Sequence, residues 1–76
     1  MNLYDLKIGQ NVTVERDTFD SVSAVAKKNL LRYGLTPATS ITLLRRSPLG
    51  SSLEILIRGT YLSISKDLAQ QVRVRL

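Results

Sequence analysis

The side chains that could carry out chemistry in this chain are carboxylates and cations, because its 76 residues include no histidine and no cysteine. The commonest general base, the preferred zinc ligands and the usual nucleophile partnerships are therefore missing. Among the six acidic residues, only Asp17 and Asp20 are closely spaced. We interpret the acids as solvated loop and helix-cap residues rather than as oxygen ligands of a hard cation. The sequence thus predicts a protein that is not an enzyme, with no catalytic residue, no cofactor and no metal site.

Eleven Lys and Arg residues against six acids give a net charge of +5. This charge permits attraction to nucleic acid, to anionic lipid or to an acidic protein face without choosing among them. Nucleic-acid-binding domains of this size usually interleave several aromatic residues for base stacking, whereas this chain has three Tyr and one Phe. We therefore expect no nucleic acid as the main partner, and keep a small basic nucleic-acid-binding barrel as an alternative.

The elements that must position these residues are mostly strands. Period-2 alternation of apolar residues predicts strands near 11–16, 40–46, 53–58, 60–65 and 72–76. The strands before and after Gly59 read as an antiparallel hairpin. Short strands with turn signals predict one mainly β domain over 1–76, a small antiparallel barrel that removes most exposed edges.

One α-helix is expected between the first two strands, at about residues 21–33. Its apolar residues recur at three- and four-residue spacing and predict one buried face: Val22, Val25, Ala26, Leu30 and Tyr33. Asp20 or Ser21 would cap its start, and Gly34 would end it. A short helical turn is expected near 66–69. No stretch approaches the ~20 apolar residues of a membrane span, and the lack of cysteine favours the cytoplasm.

Some apolar residues fall on the outer face of the predicted barrel. The inward set would be Ile41, Leu43, Ile55, Ile57, Leu62 and Ile64. Leu44, Leu56 and Tyr61 would then point outward, and Leu49 would stand at a loop tip. Such a patch is typical of a partner or oligomer interface, or else is covered by the helix or the N-terminal arm.

Several motifs in order along the chain resemble the FeoA family. They are LLRYGLTP at 30–37, ITLLR at 41–45, SPLG at 47–50, RG at 58–59 and LSI at 62–64. With the opening residues 3–9 and the closing residues 66–74, the resemblance covers nearly the whole chain. One departure is Ala38, which stands where glycine commonly follows the turn proline. It predicts a backbone without a positive φ at that residue.

The resemblance implies a barrel of the Src-homology-3 (SH3) type. It also implies a cytoplasmic accessory or regulatory role beside FeoB, the membrane ferrous iron transporter with a GTP-binding domain. The same fold occurs as the C-terminal domain of iron- and manganese-dependent repressors, which is why transition-metal binding is often attached to the family. A stand-alone metal-sensing domain is therefore a further alternative.

We expect the partner-binding surface to consist of Leu49 together with Leu44, Leu56 and Tyr61. Gly34, Pro37 and Gly59 have sufficient structural explanations as a helix stop and turn residues. Leu49 differs from them, because a leucine between proline and glycine at a loop tip has no evident folding role. The partner would be the transporter, and a homo-oligomer through the same apolar face stays open.

Overall fold

The computed structural model describes residues 1–76 apart from the side chain of Ser21. Its strands are β1 (Asn11–Val14), β2 (Ser40–Arg46), β3 (Ser52–Ile57), β4 (Thr60–Ser65) and β5 (Val74–Arg75). Its helices are α1 (Thr18–Ser21), α2 (Ala24–Arg32) and α3 (Lys66–Gln71), and a 3-10 turn covers Leu3–Asp5. The mainly β fold class predicted from alternation is confirmed.

The five strands form one antiparallel sheet in the order β4-β3-β2-β1-β5. The only register irregularity between β2 and β3 falls between Leu43 and Arg45, so Leu44 is the extra residue of a β-bulge. A bulge sharpens local twist and bend, which lets this short sheet curve around its core in the SH3-like manner. The predicted barrel nevertheless leaves an edge, because the part of the chain that the structure describes pairs no strand with the outer side of β4.

The core is built from the inner face of the sheet. In β3 the burial pattern alternates strictly, with Leu53, Ile55 and Ile57 buried and the residues between them half-buried. Burying each such side chain contributes about 1.5–3 kcal/mol. The other large, fully buried residues come from every part of the chain: Leu3, Leu6, Val12, Val14, Leu30, Leu35, Ile41, Leu43, Val72 and Val74.

The single helix expected at 21–33 is wrong in its N-terminal part. A separate turn, α1, precedes α2, and Ser23 caps α2 by accepting a hydrogen bond from the Ala26 N–H at 3.1 Å. Asp20 lies inside α1 and is not the cap of α2, and the alternative cap, the Ser21 side chain, lies outside the described residues. Because the helix starts at residue 24, Val25 is 72% exposed instead of buried.

The predicted end of the helix is confirmed. Gly34 has φ +78°, and its N–H donates to the Leu31 carbonyl at 3.1 Å. The next N–H, of Leu35, donates to the Leu30 carbonyl at 2.9 Å. This is the Schellman arrangement, and it includes the hydrophobic contact that often accompanies it, since Leu30 and Leu35 are both fully buried in one cluster.

The prediction for Ala38 is wrong. Its φ is +68°, because Thr36 to Thr39 form a β-turn, closed by the Thr39 N–H and the Thr36 carbonyl at 3.2 Å. Proline at the second position suits both type I and type II turns, and the left-handed third residue makes this turn type II. The turn is fixed by β1, since Ala38 N–H donates to the Val14 carbonyl at 2.9 Å.

The hairpin expected at Gly59 is confirmed as a two-residue connection between β3 and β4. Ile57 pairs with Thr60, and the intervening Arg58 and Gly59 have φ of +51° and +76°. Two successive positive φ values define the type I′ turn, whose twist matches that of the strands. At the other end of β4, α3 begins where Ser65 accepts the Leu68 N–H at 3.2 Å. This helix runs two residues beyond the predicted turn.

Candidate partner-binding surface

The loop between β2 and β3 carries the most exposed large apolar side chain, Leu49, at 93% exposure. Ser47 holds both ends of this loop. Its carbonyl accepts the Gly50 N–H at 2.9 Å, and its hydroxyl accepts the Ser52 N–H at 3.1 Å. The loop is thus closed by its own hydrogen bonds, and Leu49 projects from a defined turn rather than folding back over the barrel end.

A second anchor ties this loop to the N-terminal turn. The Tyr4 hydroxyl donates to the Gly50 carbonyl at 2.8 Å. A Cβ at Gly50 would lie 3.0 Å from that hydroxyl oxygen, so glycine is required here both for this approach and for its φ of +73°. The Tyr4 ring is covered by cations, with the Arg46 guanidinium 4.6 Å and the Lys66 ammonium 5.3 Å from its centroid. The loop therefore carries an apolar side chain at its tip and two basic side chains at its base.

Arg46 is the residue that fixes the N-terminal segment against β2. Its guanidinium donates to the Tyr4 carbonyl at 2.6 Å and also to the Leu6 carbonyl. Its neighbour Arg45 instead faces outward and pairs with Glu54 at 3.1 Å. The bulge at Leu44 explains this division, because an extra residue changes which face the following side chains take.

Of the four predicted site residues, the structure places Leu56 and Tyr61 next to each other, whereas Leu49 lies apart from them. Leu56 and Tyr61 are direct cross-strand partners. Tyr61 is 71% exposed, while Leu56 and Leu44 are half-buried. Leu49 lies in the loop before β3, and the first residue of that strand, Ser52, is already four residues or about 13 Å from Leu56 at 3.3 Å per residue. The prediction therefore describes a loop tip and a strand pair rather than one compact patch.

A second concave surface was missed by the sequence reasoning. The end of α2 and the β3–β4 hairpin border an open groove whose lining includes Leu31, Tyr33 and Leu62 together with Arg32 and Arg58. Leu31 is 51% exposed. The signal was the Leu30-Leu31 pair, since two adjacent residues near a helix end cannot both face one core, and Leu30 occupies it.

Arg58 connects the two sides of this groove. Its guanidinium donates to the Thr36 hydroxyl at 3.2 Å and approaches the Thr39 hydroxyl at 3.5 Å. A Cβ placed on Gly34 would come within 3.9 Å of the same guanidinium. The tip of the hairpin is thereby held beside the end of α2.

Among the described residues, no three acidic, His or Cys side chains converge to hold a metal ion. The helices that the structure describes include none long and apolar enough to cross a bilayer.

Comparison with models of known protein families gives a match over the whole chain. The family model for the FeoA domain matches residues 1–76. The chain belongs to the FeoA family. No curated protein matches it. A role related to ferrous iron transport follows from FeoA membership.

Solved FeoA structures share the fold. The solution structure of a FeoA protein from Chlorobium tepidum is 25% identical, with a TM-score of 0.84 over 100% of this chain and 70% of that one. A crystal structure of an iron uptake regulatory protein, also FeoA, is 29% identical, with a TM-score of 0.84 over 99% of this chain and 95% of that one. A manganese-dependent transcriptional repressor in complex with manganese is 17% identical, with a TM-score of 0.84 over 99% of this chain and 35% of that one. At this identity the repressor shows a shared fold only.

Proposed function

We propose that this FeoA-family chain is a cytoplasmic accessory protein of ferrous iron transport that docks on the cytoplasmic part of a FeoB-type transporter and regulates it. The match of the FeoA domain to residues 1–76 supports the connection with iron transport. The observation that carries the docking role is Leu49, 93% exposed on a loop closed by its own hydrogen bonds and by Tyr4. Burial of this exposed side chain against a partner would contribute about 1.5–3 kcal/mol to binding.

The docking surface consists of the Leu49 loop and the outer side of β3 and β4. Leu56 and Tyr61 form the apolar pair of that side, and Leu44 adds to it from the bulge. The basic residues around the loop base, Arg46 and Lys66, favour an acidic rim on the partner. Regulation then acts through protein contact, with iron handled by the transporter.

Substitution of Leu49 tests this proposal. We expect Leu49→Glu to abolish capture of the detergent-solubilised full-length transporter by the tagged protein, because a carboxylate would be desolvated in the contact. The matched control is Val25→Glu, which charges another exposed apolar residue, on α2 and away from the surface. Thermal unfolding of both variants should match the wild type. Capture that is equal in the Leu49→Glu and wild-type proteins would refute the proposed surface.

A further inference from the structure

The outer edge of β4 offers backbone groups that no strand uses. Ile57 and Thr60 close a two-residue hairpin, and the register continues without irregularity to Ser65. In an antiparallel ladder that starts this way, alternate residues direct N–H and C=O toward the partner strand and the others direct them away. Tyr61 and Ser63 belong to the second set, and no backbone partner for them exists in the described structure.

This edge also lacks the usual protection. Natural edge strands carry charged residues, proline or bulges that discourage pairing. β4 has the sequence TYLSIS, with none of these along its six residues. It is therefore a ready template for one more strand.

The groove described above runs beside this edge. Thr60 and Leu62 of β4 line it from one side, and Leu31 and Tyr33 from the other. A strand added to β4 would place every second side chain in the groove, because side chains alternate between the two faces of a sheet. Leu31 and Leu62 would then receive apolar side chains.

The charged residues that line the groove indicate which kind of segment would bind there. Arg32 and Arg58 line it, and its lining contains no acidic residue. Neither arginine has a carboxylate partner among the described residues, where the ion pairs are those of Arg45 and Arg73. An incoming segment with carboxylates would compensate these cations.

A second copy of the chain fits less well. Antiparallel pairing of two β4 edges with Tyr61 opposite Ser63 of the other copy would also bring Arg58 toward Lys66 of that copy. Arg58 lies in the hairpin turn and Lys66 at the start of α3, and their like charges would repel each other. In addition, each copy carries a net charge of +5.

We propose that β4 takes up an extended segment of a partner protein as a sixth strand, with apolar residues at alternate positions and carboxylates at its ends. The backbone hydrogen bonds of Tyr61 and Ser63 supply the pairing, and the groove supplies selectivity. The identity of the partner as a transporter rests on the proposed function. The strand-addition mode itself rests on β4.

A defined peptide tests the mode without the transporter. The probe is the capped heptapeptide Glu-Val-Thr-Val-Thr-Val-Glu, titrated into isotopically labelled protein and followed by NMR. We expect shifts at the Tyr61 and Ser63 amides and at Leu31, and slower hydrogen exchange of the two edge amides. A probe with lysine in place of both glutamates should bind on the order of tenfold more weakly.

Two substitutions of Ser63 separate the contribution of its backbone N–H at the strand edge from that of its side chain. Ser63→Pro removes the outward N–H, which an edge strand tolerates, and should weaken probe binding on the order of tenfold or more. Ser63→Ala keeps the N–H and should bind like the wild type. If Ser63→Pro does not fold, a probe N-methylated at its central valine removes the same class of hydrogen bond from the other side, with the same expected loss.

The outcomes are distinct. Absence of any change at the Tyr61 and Ser63 amides at millimolar probe would overturn strand addition. Concentration-dependent shifts at these amides without probe would also overturn it, in favour of a second copy. Probe binding at β4 combined with failure of the wild-type chain to capture the transporter would overturn the proposed function and leave strand addition standing.

Discussion

Replacing Ala38 by glycine should stabilise the protein, although it removes a methyl group. Ala38 has φ +68° and is exposed, so its side chain contributes strain and little packing. A left-handed conformation costs a residue with a Cβ about 1–2 kcal/mol. Glycine avoids that cost but loses about 0.5–1 kcal/mol more backbone entropy on folding. These ranges give a net gain in the free energy of unfolding of about 0–1.5 kcal/mol, with a central value of about 0.75 kcal/mol.

In a domain of this size, 1 kcal/mol corresponds to roughly 4–8 °C in melting temperature. From the central value, we therefore expect Ala38→Gly to raise the melting temperature by about 3–6 °C in a thermal unfolding experiment. Ala38→Val is the matched control, because a β-branched residue is least tolerant of positive φ and should lower it. The Ala38 N–H to Val14 bond persists in all three proteins. A lower melting temperature for Ala38→Gly than for the wild type would refute the turn geometry.

Two further substitutions test hydrogen bonds that hold the chain ends. Thr18→Val should lower the free energy of unfolding in urea by about 1–3 kcal/mol, because the buried Thr18 hydroxyl accepts the Arg73 N–H at 2.8 Å. Thr18→Ser keeps the hydroxyl, and an equal loss in both would contradict this account. Arg46→Met should cost about 1.5–3 kcal/mol through its charged bonds to the Tyr4 and Leu6 carbonyls. Arg45→Met should cost about 0.2–1 kcal/mol, because its pair with Glu54 is exposed; the reverse order would show that Arg46 does not anchor the N-terminal turn.

The strands could be predicted well because alternation is a local property. In β3 the apolar residues Leu53, Ile55 and Ile57 recur at every second position, and all three are buried. The bulge at Leu44 could not be predicted in this way, since it consists of two residues facing one on another strand. Its consequence, the inward turn of Arg46 toward the N-terminal segment, depends on residues 42 and 40 positions away.

The boundaries of the helical region show the same division between local and distant causes. Ser21 and Ser23 are both suitable cap residues by type, and the choice of Ser23 follows from α1, whose Thr18 is bound to Arg73 across 55 residues. Ala38 misled the prediction because its residue type does not reveal the turn type, and the turn is tied to β1 through the Ala38 N–H and the Val14 carbonyl. For the candidate site, the exposure of Leu49 could be predicted from the loop composition. The groove could not, because it forms where the end of α2 meets the β3–β4 hairpin, and this contact is not visible in the local sequence.

Arg58 stabilises the contact between the end of α2 and the β3–β4 hairpin, and it also contributes to the proposed binding groove. Arginine is a poor choice for the first position of a type I′ turn, where asparagine, aspartate and glycine are preferred. Its φ of +51° is therefore strain, and its side chain offsets part of that strain by bonding the Thr36 hydroxyl of the opposite turn. The same guanidinium supplies a positive charge to the groove beside β4. An asparagine would suit the hairpin better, but it would release the tie to Thr36 and remove that charge, so at this residue turn preference and the proposed binding function act in opposite directions.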